Sequence, residues 1–138
     1  MARKTKDVTI SADNRDKGKT FRITEMGSED AEDWAFRALQ ALAASGVEIP
    51  ENPRMMSAAK LAEMGLMALA KAVPSTVKQL KKELLACVAF VLPEKRSESI
   101  ALIPNVHVEE VTTLFTLQMA ALELHIGFSL AALPQTLG

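Results

Sequence analysis

The chain has 138 residues, 49% of them hydrophobic and 24% charged, with a formal net charge of −1 at pH 7. That length can bury a sizeable core in one domain without help from metal or disulfide, and the balanced charge excludes a broad basic field for nucleic acid or acidic membranes. A single cysteine, Cys87, excludes an intramolecular disulfide framework and a cysteine-based zinc cluster.

The expected organisation is one domain over 1–138, with 1–6 and 129–138 as flexible tails. MARKTKDVTI carries basic residues with no hydrophobic stretch behind them, so it does not have the form of a signal peptide. No apolar run approaches the roughly 18 residues that a membrane span needs, and the expected location is the cytoplasm. Residues 7–10 and 19–25 alternate apolar and polar side chains around the polar loop SADNRDKG, the pattern of a β-hairpin. Ser28 stands where a helix N-cap belongs, and Glu29, Asp30, Glu32 and Asp33 suit the positive end of a helix dipole. Trp34, Ala38 and Leu42 form one stripe, Ala35, Leu39 and Ala43 a second, and Phe36 widens the apolar surface of a helix over 29–45. Gly46 is the expected stop.

A linker with Pro50 and Pro53 leads to a helix over 54–73, rich in alanine and methionine, that ends before Pro74. Ser75 is the expected cap of a third helix over 75–91, with Val77, Leu80, Leu84, Cys87 or Val88, and Val91 at three-four spacing. Its second half carries no charge and should be enclosed on most sides. SIALI, at 99–103, has strand character. A fourth helix covers 108–126, with His107 and Glu110 in capping-box positions. The resulting fold class is α+β, mainly α: an N-terminal β-hairpin, about four helices and a short strand near residues 99–103.

Catalytic and ligand motifs are missing. His107 and His125 fall at opposite ends of the last expected helix, about five turns apart, and cannot share a site on it. His125 suits a packed or capping role, and a nucleophilic Cys87 conflicts with its apolar setting in LLACVAFVL. Glu29 and Asp33 share a helix face, but no histidine joins them and the dipole already accounts for acids there. The glycines form no phosphate loop. Lys78, Lys81 and Lys82 make a small basic face without interleaved aromatics, which reads as a solvated helix surface. No catalytic residue, cofactor site or metal site is therefore assigned. The methionines have two readings, as core filler or as an adaptable surface for helical partners.

The order of words in the sequence adds a resemblance. "GKTFRITEMGSEDAEDWAFRALQALAASGVEIP" is similar to the opening of the tail assembly chaperones of long-tailed bacteriophages: a segment like GKTFRITEM, an alanine-rich helix with Trp-Ala near its start, and an exit like SGVEIP. The similarity continues through AAKLAEMGLMALA and LLACVAFV to VEEVTTLFTLQMAALELHIGFS, and so spans about residues 18–129. It implies a non-enzymatic role in virion assembly, in the host bacterial cytoplasm and absent from the mature virion. The implied partners are the tape-measure protein, which such chaperones coat and keep soluble, and the tail-tube protein, which they help to recruit. Many such phages also make a longer frameshifted form, and the short tail SLAALPQTLG lacks a tube-recruiting extension. Met56, Met64, Met67, Phe115 and Met119 are the expected contact residues, with homo-oligomerisation a second use of the same apolar faces. The alternative is a structural head–tail or tail completion protein of the virion.

Overall fold

Alternation in TKDVT and TFRIT produces two antiparallel strands, β1 (Thr5–Thr9) and β2 (Thr20–Thr24), with Val8 opposite Phe21 and Lys6 opposite Ile23. The computed structural model describes residues 3–44, 46 and 58–132, with side chains over 3–41, 44, 46 and 62–125. The remaining elements are α1 (Ser28–Ala44), α2 (Ala58–Leu69), α3 (Pro74–Leu85), β3 (Val88–Val91), β4 (Ser99–Ala101), the one-turn α4 (Pro104–His107) and α5 (Val111–Ala132). The strands form one antiparallel sheet in the order β1-β2-β3-β4. The fold is thus α+β and mainly helical, with the N-terminal hairpin and a short strand inside 99–103.

The third expected helix needs correction. It ends at Leu85, and VAFV becomes an interior strand that pairs Phe90 with Phe21 on one side and with Ile100 on the other. A continuous apolar run of this length satisfies a buried strand as well as a buried helix, so spacing alone could not decide. The β-branched and aromatic content of Val88, Phe90 and Val91 favours the pleated surface. The enclosure expected for that run is partial: Leu84, Val88 and Val91 are buried, Leu85, Cys87, Ala89 and Phe90 are half-buried, and Ala86 is exposed.

Helix starts also shift by a residue or two. Gly27, whose carbonyl accepts from Ala31 N (2.8 Å), takes the cap position of α1 in place of Ser28. α3 begins on Pro74, with Val73 rather than Ser75 at the cap. The ring of Pro74 holds Val73 extended, with φ −57° and ψ 127°, which separates α2 from α3 after the turn at 70–73. β1 begins at Thr5, so residues 5 and 6 of the expected N-terminal tail are paired strand. α5 runs to Ala132, through residues 129–132 of the expected C-terminal tail.

Helices cover the sheet face that carries Phe21, Ile23 and Val88, and these side chains join Trp34, Leu80, Leu84 and Leu117 in one core. Burial contributes roughly 1.5–3 kcal/mol for each such large apolar side chain. The cross-strand pair Arg22–Asp7 (2.9 Å), half open to water, contributes less than about 1 kcal/mol. Packing of the sheet on the helices therefore dominates. Trp34 fixes α1 on α3 by donating from Nε1 to the Leu80 carbonyl (3.0 Å). One turn on, Arg37 grips Glu83 through its two terminal guanidinium nitrogens and donates from Nε to Asp33 (2.8 Å). The Arg37 hydrogen bonds hold the Glu83 carboxyl below its usual range. Of the stripes expected on α1, Trp34 and Ala38 are buried with Ala41, whereas Phe36 and Leu39 face outward.

α5 is held at three levels. α2 packs along it, with Ala62 of α2 and Ala121 and Leu122 of α5 buried in the same core. His125 lies inside the helix rather than at its end; its Nε2 accepts from Met26 N (2.9 Å), so Nδ1 carries the hydrogen and donates to Ala121 O (2.7 Å). The start of α5 is capped from the β1–β2 loop. His107, the expected cap, instead accepts at Nδ1 from Ile103 N (3.0 Å) and stacks on Phe90 with ring centroids 4.5 Å apart. The capping group is the fully buried carboxylate of Asp16. It accepts from Glu109 N (3.0 Å), Glu110 N (2.9 Å), Thr113 Oγ1 (2.7 Å) and Lys19 Nζ (2.8 Å). Arg15 adds a bond to Glu110 Oε1 (2.6 Å).

Burial pushes the Asp16 carboxyl up, but the Lys19 ammonium, the Thr113 hydroxyl and the two backbone N–H groups outweigh it and hold the acid far below the usual carboxylate range. An aspartate depressed in the folded state adds stability that is complete above its unfolded value of about 3.9 and is lost as pH falls toward the folded value. Asp16→Ala is expected to lower the unfolding free energy by about 3–5 kcal/mol at neutral pH. Asp16→Asn is expected to flatten the loss of stability below about pH 4. Urea titrations across pH 2–7 check both.

Candidate partner-binding surface

Large apolar side chains remain exposed on several helices. Met67 is 70% exposed, Val111 68%, Val73 63%, Phe36 60%, Leu39 49% and Phe115 48%. Met67 lies near the end of α2 and Val73 just before α3, while Val111 and Phe115 stand one turn apart on α5. Single exposed apolar residues are ordinary, but a group of this size on neighbouring helices has the character of a contact surface.

Of the five contact residues expected from the sequence, Met67 and Phe115 stand out from the surface. Met64, one turn before Met67, and Met119, one turn after Phe115, are half-buried. α2 and α5 pack together, and Met67 faces out. Met56 lies outside the described residues.

Beside Phe115, α3 and α5 enclose an open groove of about 500 Å³. Val77 and Leu85 of α3 and Leu114 of α5 line it, and Ala72 and Pro74 close one end. Lys78, Lys81 and Lys82 form its α3 rim, and Lys81 Nζ sits 5.7 Å from the centroid of the Phe115 ring, a cation–π distance. Gln118 also lines the groove. It is only 3% exposed, and its Oε1 has no hydrogen-bond partner.

Gln118 and the groove were missed in the sequence. The available signal was the one amide in the uncharged run VTTLFTLQMAAL, facing a helix whose lysines lie at i, i+3 and i+4. The lysines were read as solvated because the apolar wall opposite them comes from a helix about 30 residues away.

Other candidate groups have structural partners. Glu29 and Asp30 occupy the first turn of α1, and Asp33 is held by Arg37. Among the described residues no three His, Cys, Asp or Glu side chains are grouped to hold a metal ion. No helix of the described residues is long and apolar enough to cross a membrane. No family model, curated protein or solved structure matches the chain.

Cys87 is half-buried, with its Sγ 3.6 Å from the Glu83 carbonyl. Burial pushes its thiol up to about 11, against a small opposing effect of Arg3. The thiolate fraction at pH 8 should then be about two-hundredfold below that of an ordinary thiol of pKa ~8.5. Alkylation of the native protein at pH 8 is expected to be slower by about that factor than after unfolding in urea. Equal rates would show an accessible, unshifted thiol.

Proposed function

We propose that this chain is a non-enzymatic tail assembly chaperone of a long-tailed bacteriophage, acting in the host cytoplasm and left out of the finished virion. Its client is the tape-measure protein, which it keeps soluble while tail-tube subunits are recruited. The observation that carries this reading is the set of exposed apolar side chains on its helices, Met67 and Phe115 among them. A long helical client carries an apolar stripe along its length, and such a surface shields it by packing helix on helix. Flexible Met67 suits a client whose stripe changes along its length. The order of sequence words from GKTFRITEM to LHIGFS supports the same assignment.

Co-expression with the phage's tape-measure protein is expected to raise that protein's soluble yield and to co-purify the two. Met67→Asp with Phe115→Asp should reduce the effect at least about tenfold, since burying each unpaired charge costs more than 1.4 kcal/mol. An unchanged yield without co-purification would overturn the proposal. Finding the protein in purified virions by mass spectrometry would instead favour a head–tail or tail completion component.

A further inference from the structure

The groove between α3 and α5 is the most specific feature of this surface, because it combines shape, charge and an unmet hydrogen bond. From that combination we infer that it is a docking slot for an amphipathic α-helix bearing carboxylates along its polar edge. Assigning the tape-measure protein as the source of that helix rests on the chaperone reading; the chemistry of the slot does not.

A helical occupant follows from the walls. Both long sides are helices with satisfied backbones, so an extended peptide finds no strand edge to pair with. The lining positions on α3 run from Val77 to Leu85, about 12 Å along the axis, which accepts two turns of a third helix. The apolar floor of Val77, Leu85 and Leu114 takes that helix's apolar stripe.

Acidity follows from the rim. Lys78, Lys81 and Lys82 line the groove and no carboxylate does; among the described residues none of the three lysines is ion-paired. Several other cations of the molecule are already committed, as in Arg15–Glu110, Lys19–Asp16, Arg22–Asp7 and Arg37–Glu83. An acidic helix edge would pair with the uncommitted row, whereas a basic one would be repelled.

Gln118 supplies the third element. A buried amide oxygen without a donor is destabilising in the free protein, and native structures keep few of them. Its place in the groove lining gives it a use: a hydroxyl or amide donor on the occupant's apolar face would satisfy it. A leucine here would serve the free fold better.

Three synthetic 20-residue helical peptides test this directly. They share one leucine face containing a single serine and differ in carrying glutamate, glutamine or lysine on the polar face. Fluorescence anisotropy with the full chain is expected to show the glutamate peptide binding at least about tenfold tighter than the lysine peptide. The triple variant Lys78→Glu, Lys81→Glu, Lys82→Glu should reverse that order, and Lys95→Glu with Arg96→Glu, exposed in the turn between β3 and β4 and absent from the groove lining, should leave it unchanged. Gln118→Leu should raise the thermal midpoint of the free protein while weakening the glutamate peptide.

Equal binding of all three peptides, no binding, or a preference that survives the triple reversal would overturn the slot. So would self-association abolished by the triple reversal, which would give the groove to a second copy. Glutamate-peptide binding without capture of the tape-measure protein would uphold the slot and remove only the chaperone reading. Capture of that protein undiminished by the triple reversal would do the opposite.

Discussion

The carboxylate of Asp16 joins parts of the chain more than 90 residues apart, accepting from Glu109 N, Glu110 N, Thr113 Oγ1 and Lys19 Nζ with no contact to water. A charge buried this completely is tolerable only when its lone pairs are met by well-placed donors. The β1–β2 loop is shaped to deliver it: Asp16 N bonds to Asn14 Oδ1 (2.9 Å), and Gly18, at φ +88°, brings the chain back into β2. The N-terminal hairpin is thereby tied to the start of the longest helix. Neither would be well placed alone, since an isolated hairpin is marginal and a helix start leaves N–H groups unmet.

From that tie the rest of the surface follows. With its first turn set by Asp16 and its later turns by packing on α2 and by His125 on Met26, α5 has little freedom to roll. α3 is fixed independently, through Trp34 on Leu80 and Arg37 on Glu83. The space between two separately anchored helices is left unfilled, and it becomes the groove. Leu114 and Gln118, one turn apart, line its α5 wall, while Thr113 and Leu117, each one residue before them, turn into the cap and the core. Stability and binding surface thus share one helix.

Much of the fold was legible in sequence, for identifiable reasons. Strict alternation exposed the hairpin, SIALI betrayed a strand, and the acid burst before Trp34 marked the start of α1. The run LLACVAFVL misled because a central strand has no polar face, so its pattern is indistinguishable from that of a buried helix end. Caps were the least legible feature. Ser28, Ser75 and His107 each stood in a plausible local position, yet Gly27 and Val73 cap two of these helices, and the third is capped by an acid remote in sequence. Of the contact surface, Met67 and Phe115 were visible as apolar residues without a clear core role. Gln118 was not, because being unpaired is a property of three-dimensional surroundings.

Surface and anchor meet at the amides of Glu109 and Glu110, which precede α5 and belong to no helical or sheet ladder. Their hydrogen exchange, followed by NMR in the native protein, tests the tie most directly. Both amides are expected to exchange as slowly as the core amides of β2 and to lose that protection together in Asp16→Ala. Fast exchange at both positions in the unaltered protein, at the rate of an open loop, would contradict the anchoring of α5 by Asp16 and with it the fixed groove.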